Sequence, residues 1–271
     1  MFISILRLLL LFTFFCYFNF KNVILNLIMT HLPKILVSCP TASAKNYTAL
    51  QWILNTQKFT YPNYDVVVFN NDDDDGKNAE WLNKLAIENG VLNFKAIHYS
   101  DKKHSTIIER MCISHNLCRE LTINGGYSHL LHLESDIICP PDSLEKLYIH
   151  NKKVVGGLYY RDSGKSRRLM AQRRINRSSR NVISENFMPN EDVFFIDGTL
   201  KTIAHIGLGC VLINVDVLKE MPFRYINGID MHPDSYFAED CFRKNIKIFA
   251  DTSIICEHNN EDWDIYGLNW K

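Results

Sequence analysis

The 271-residue chain carries no excess charge of either sign, because Lys+Arg and Asp+Glu both number 30. That balance excludes a protein built to neutralise a phosphate backbone, so no nucleic-acid partner is expected. Eight cysteines are present, yet none forms a C-x-x-C pair or a metal-finger spacing. They are expected to be reduced, small and buried, as in a cytoplasmic or cytosol-facing domain. Walker A, G-x-G-x-x-G and G-x-S-x-G patterns are missing, which removes the phosphate-loop, dinucleotide and serine-hydrolase signatures. Internal repeats and low-complexity linkers are also missing. What is there, 46% hydrophobic and 22% charged residues, is the composition of a globular domain long enough for one good core.

The first 28 residues stand apart. Leu8 to Phe18 is a nearly unbroken apolar run after Arg7, short for a membrane span, and Lys21, Asn22 and Asn26 prevent its extension. No small-x-small cleavage site follows it. Two readings stay open for residues 1–28: a signal anchor giving membrane association, or an over-extended start upstream of Met29. The domain proper is expected over residues 29–271.

From Lys34 onward, strand and helix patterns alternate, which predicts an α/β sheet protein. Strands are expected at Ile35–Cys39, ended by Pro40, and at Tyr64–Phe69, Phe94–Tyr99 and Ser128–Leu133. Helices are expected at Thr48–Lys58, Asn78–Asn89 (with Gly90 as its cap) and Ser105–Leu121. Val154–Tyr160 reads as a further strand. A polar, arginine-rich stretch from Arg161 to Asn190 reads as a mobile loop. Strand character returns around Gly207-Leu208-Gly209, a helix is expected from Asp234 to Asn245, and a strand pair around Ile246–Cys256.

Glu134-Ser135-Asp136 follows the apolar run Leu130–Leu133. In extended chain, residues two apart project to one side, so both carboxylates would face one ion. Oxygen ligands of this kind suit Mg²⁺ or Mn²⁺ whose remaining positions are filled by a diphosphate. His258, just beyond Thr252–Cys256, offers an imidazole at a strand end, another acceptable Mn²⁺ ligand. The plainer roles are a polar strand end for the acids and a structural or exposed residue for the histidine. Asp72–Asp75 close the second strand as a cation site, a nucleoside contact or a solvated turn, and the turn is preferred for the last three.

In their order along the chain these pieces resemble the family 2 type of GT-A glycosyltransferases, from about Lys34 to Asn260. The resemblance implies a GT-A fold: Rossmann-like, with a mixed central sheet flanked by helices. It places Pro40 and Thr41, Asp72, Arg110, Asn116 and Ser135 against the nucleotide, and Gly207 and Gly209 near the donor sugar. Glu134, Asp136 and His258 become the ligands of Mn²⁺ or Mg²⁺, with Glu134 departing from the usual first Asp of the D-x-D motif. The catalytic base falls to Asp234, at the start of its helix, with Asp240 in Glu239-Asp240 as the alternative. The implied activity is sugar transfer, with inversion, from a nucleotide-sugar donor to a glycan, lipid or protein acceptor.

Two other functions compete. A sugar-nucleotide nucleotidyltransferase would need a glycine-rich loop with a basic residue after the first strand, and Pro40–Ala44 has no such loop. A non-catalytic carbohydrate-binding domain on the same fold would have lost its metal acids or its base.

Overall fold

The computed structural model describes residues 32–99, 106–162, 167–175, 184–188, 190–229 and 231–260. Contacts divide the chain into Met1–Pro33 and Lys34–Lys271, and the second unit holds the sheet and its helices. Residues 1–28 lie outside the described residues. Among those that are described, no helix is long and apolar enough to cross a membrane.

Four parallel strands form one half of the main sheet: β1 (Ile35–Thr41), β2 (Tyr64–Asn70), β3 (Phe94–His98) and β4 (His129–Leu133). The apolar runs of β1, β2 and β4 are buried along most of their length, as expected for strands covered on both faces. Strand β3, at the sheet edge, buries only Ala96. Helices α1 (Ala49–Thr56), α2 (Lys77–Glu88) and α3 (Ile107–Asn124) connect them. Helix α2 buries Ala79, Leu82 and Ala86 along one face. It stops where Gly90 takes φ +74°, a left-handed value that glycine adopts without strain. Helix α3 begins at Thr106, whose side chain accepts the Glu109 amide, a threonine cap with its glutamate three residues on.

A two-residue strand β5 (Ile137–Ile138) and helix α4 (Ser143–Ile149) lead to β6 (Val154–Asp162). Then come β7 (Arg167–Leu169), β8 (Ala171–Arg174), β9 (Ser184–Asn186), helix α5 (Asp192–Phe195), β10 (Leu200–Ile203), β11 (His205–Ile206) and β12 (Cys210–Asn214). Helices α6 (Val215–Glu220) and α7 (Pro233–Arg243) precede the last strand, β13 (Ile248–His258). The main sheet runs β10-β13-β6-β12-β4-β1-β2-β3. Strand β12 lies antiparallel between β4 and β6, so the sheet is mixed. With helices on its flanks, this is the mixed central sheet of an α/β protein expected from the sequence.

Three expectations need correction. The stretch from Arg161 to Asn190 is not simply a loop: β7 pairs with β6, and β8 lies between β9 and β11 in a small second sheet. Cross-strand charge pairs such as Arg173–Glu185, at 2.6 Å, support it where apolar alternation is missing. Arg177 and Arg180 lie outside the described residues. The C-terminal strand pair is one strand, β13, whose pairing with β6 slips between Ala250 and Ile255. The slip coincides with a local side-chain turn in which Asp251 Oδ1 accepts the Ser253 amide at 2.9 Å. Finally, Glu134-Ser135-Asp136 is not extended. Strand β4 ends at Leu133, and the Ile137 amide reaches back to Glu134 O at 2.9 Å, closing a turn.

Candidate active site

The strand order reverses direction around β1: the chain first builds outward to β2 and β3, then returns through α3 to β4 on the other side. In such sheets a crevice opens at the C-terminal ends of the strands flanking the reversal. Here those ends are Thr41 on β1 and the acid turn after β4. They meet directly, since Thr41 Oγ1 donates to Ser135 Oγ at 3.2 Å. Thr48 Oγ1 donates to Ser135 O at 2.6 Å, pinning the 3-10 turn Ser43–Thr48 against the acid turn.

Asp136 is fully buried. Its Oδ2 accepts the ammonium of Lys45 and faces His258 Nε2 at 3.4 Å, whereas its Oδ1 is buried without a hydrogen-bond partner. The meeting with His258 is set by backbone pairing. Strand β5 runs antiparallel to the end of β13, with Ile137 opposite His258, and the Asn259 amide donates to Asp136 O at 2.9 Å. His258 Nδ1 lies 3.0 Å from Tyr160 O. A carbonyl only accepts, so Nδ1 carries a proton, and Nε2 is the ring nitrogen turned toward Asp136.

Burial alone would raise the Asp136 pKa, but Lys45 and His258 outweigh it and hold the group at about 2. Glu134 goes the other way. Burial, then the charge of Asp136, pushes it up to about 7, and Asp234 adds to the rise. The two acids therefore differ: one is a fixed anion, the other titrates near neutrality.

Asp234 sits in the first turn of α7, one residue past Pro233, with His232 as the cap residue. Its Oδ1 accepts the Ser235 amide at 2.7 Å, and Oδ2 lies 3.6 Å from His205 Nε2. Asp240 is held differently. Arg224 grips it through two hydrogen bonds, at 2.8 and 2.9 Å, and also reaches Glu239 at 2.9 Å.

The other residues expected near the nucleotide and sugar have the following protein partners. Asp72 accepts the Ser43 amide at 2.6 Å and its hydroxyl at 3.0 Å, tying the loop after β2 to the turn after β1. Arg110 Nη1 lies 4.0 Å from Asp73. Asn116 exchanges two hydrogen bonds with the backbone of Phe223, at 2.8 and 3.0 Å. Pro40 is the next-to-last residue of β1, opposite Phe69. Gly207 and Gly209 lie against Tyr159, whose ring a methyl on Gly209 would meet at 2.5 Å.

Lys45 and Tyr159 carry parts of the site that the sequence did not single out. For Lys45 the available signal was a basic residue in the turn after the first strand. For Tyr159 it was an aromatic residue beside Gly156-Gly157 on a buried strand.

Among the described residues, no group of three or more His, Cys, Asp or Glu side chains is arranged to hold a metal ion alone. Asp136, with its partnerless Oδ1, and His258, with its directed Nε2, do supply two donors of the right chemistry. That set fits a cation completed by phosphate oxygens rather than by protein ligands alone.

No protein-family model matches the chain. No curated protein sequence matches it. Among solved structures it is similar to S. aureus TarS, residues 1–349, in complex with UDP-GlcNAc (12% identity, 83% of this chain and 58% of that chain, TM-score 0.49). The same protein in complex with UDP gives 13% identity, 86% and 63% coverage and a TM-score of 0.49. Protein A197 from STIV gives 13% identity, 84% and 85% coverage and a TM-score of 0.44. The chain thus spans 58–63% of the TarS fragment. At such identities no residue's role transfers to this chain.

Proposed function

We propose that the chain transfers a sugar from a nucleotide-sugar donor to a hydroxyl of a glycan, lipid or protein acceptor, with inversion at the anomeric carbon. The observation carrying this reading is the convergence of Lys45, Asp136 and His258 at the C-terminal ends of β1 and β4, where an open α/β sheet binds its ligand. A divalent cation, Mn²⁺ or Mg²⁺, would be held by Asp136 and His258 with Glu134 beside them, and when bound it neutralises charge on the departing diphosphate.

The remaining chemistry belongs to side chains. Thr41 and Ser135, joined by their hydroxyls, fix the floor on which the nucleoside diphosphate lies. Asp234, in the first turn of α7 and beside Glu134 electrostatically, takes the proton of the acceptor hydroxyl. As that oxygen bonds to the anomeric carbon, the bond from this carbon to the phosphate oxygen breaks, and the electron pair leaves with the nucleoside diphosphate.

A thermal-shift panel of nucleotide sugars, with and without Mn²⁺, tests the donor class, because binding to the native state raises the unfolding temperature. At least one donor is expected to raise Tm, and release of its nucleoside diphosphate should follow on adding acceptor. A panel without any shift removes the reading. Pyrophosphate formed from a nucleoside triphosphate and a sugar phosphate would instead identify a nucleotidyltransferase.

A further inference from the structure

Asp136 has a counter-ion that belongs to the chain. Lys45 is carried on the turn Ser43–Thr48, which is anchored at both ends. Asp72 holds Ser43 by its amide and hydroxyl, and Thr48 Oγ1 bonds both Lys45 O at 3.2 Å and Ser135 O at 2.6 Å. The lysine stem therefore starts from a fixed backbone and ends on a fixed carboxylate. Its side chain is 24% exposed whereas that of Asp136 is 0% exposed, so of the two partners Lys45 is the one solvent reaches. Oxygens of a diphosphate entering the crevice would meet this charge before they met Asp136.

The same oxygen, Oδ2, accepts Lys45 and faces His258 Nε2 at 3.4 Å. A cation bridging His258 and this oxygen meets the ammonium already bound to it, and the two positive charges compete for the same carboxylate. An ammonium is a compact charge with three rotatable donors and a familiar partner of phosphate, so the displaced group has a ready alternative in a phosphate oxygen.

We infer that Lys45 is the resident cation of this site: it anchors the donor's diphosphate without metal and competes with a divalent ion for Asp136. The inference rests on the nucleotide-sugar reading for its ligand, while its probes, inorganic pyrophosphate and Mn²⁺, are independent of base and sugar.

The test is calorimetric titration of the full chain and of Lys45→Met and Lys45→Arg. In EDTA, wild type should bind pyrophosphate, Lys45→Met should bind it at least tenfold more weakly, and Lys45→Arg should stay within threefold. With Mn²⁺ alone, Lys45→Met should bind the ion at least threefold more tightly. Lys45→Arg, whose planar fork grips a carboxylate at two points, should bind it several-fold more weakly. This second variant keeps the charge on Asp136 and so keeps the test open if Lys45→Met does not fold. Equal pyrophosphate affinity of wild type and Lys45→Met, or Mn²⁺ affinity unchanged in both variants, overturns the inference. If these results hold while no nucleotide sugar raises Tm, the donor assignment fails and the place of Lys45 stands. The opposite pattern removes Lys45 alone.

Discussion

The hydroxyl of Tyr159 accepts the amide of Gly209 at 3.1 Å, and its ring stands edge-on to His258 with centroids 5.3 Å apart. The glycines of Ile206-Gly207-Leu208-Gly209 thus make room for an aromatic ring that supports the histidine of the site. Gly209→Ala should destabilise the protein by about 1–3 kcal/mol through overpacking. Tyr159→Phe, which loses only the hydroxyl contact, should cost about 0.5–1.5 kcal/mol. Urea melts of the two variants check the order, and a harmless Gly209→Ala would contradict the packing.

Asn116 is predicted to be a structural residue. Its amide joins α3 to the backbone of Phe223 at two points, and its removal leaves an N–H and a C=O without partners. Asn116→Ala should lose roughly 2–3 kcal/mol of stability, while nucleotide affinity of the folded fraction changes less than threefold. A large affinity loss at unchanged stability would restore the nucleotide contact implied by the family resemblance.

Asp234 and Asp240 should separate by kind of defect. Asp234→Asn keeps the first turn of α7 and donor binding, yet should lower transfer by several orders of magnitude. Asp240→Asn loses the Arg224 ion pair, a partly exposed contact worth about 0.5–1 kcal/mol, and should keep transfer within tenfold. Single-turnover assays with each variant decide between the two, and the reverse pattern would make Asp240 the base.

Stability of the metal-free protein should fall as pH rises from about 5 to 8. The pKa of Glu134 is raised to about 7 in the folded chain from an ordinary 4.5. The folded state therefore holds more protons than the unfolded state between those values, and stability drops across that window. Asp136 works in the opposite sense. Its pKa lies at about 2, below the ordinary 3.8, so its contribution is complete above 3.8 and is lost only as pH falls toward 2. Because Glu134 is partly exposed, about 1 kcal/mol is expected, roughly 2–4 °C in Tm for a chain of this size. Glu134→Gln in EDTA should flatten the slope. An unchanged slope would show that Glu134 titrates normally.

Legibility followed locality. The parallel strands β1, β2 and β4 are continuous apolar runs, and α7 is bounded by Pro233 and by Asn245, at φ +56°, so local pattern located all four. Glu134, Asp136 and His258 were visible as chemistry-bearing residues at strand ends. Lys45 was not, because its partner lies 91 residues away and no local pattern links a turn lysine to a buried acid. The Tyr159–Gly209 contact is equally non-local. The small sheet of β8, β9 and β11 was hidden for another reason: its strands are two to four residues long and polar, and they leave no periodicity to read.

The slip in β13 makes the site sensitive to counting. Ala250 stands opposite Gly156 and Ile255 opposite Leu158, so β13 spends five steps where β6 spends two. The surplus is odd, and side chains alternate faces with every step. Even-numbered residues of β6 therefore share a face with even-numbered residues of β13 before the slip and with odd-numbered ones after it. That reversal brings His258, rather than Glu257, round to the side of Tyr159. In an otherwise unchanged strand, removing or adding one residue between Ala250 and Ile255 would exchange the two, whereas a change of two would preserve the phase. The length of this segment is thus constrained by parity more tightly than by size.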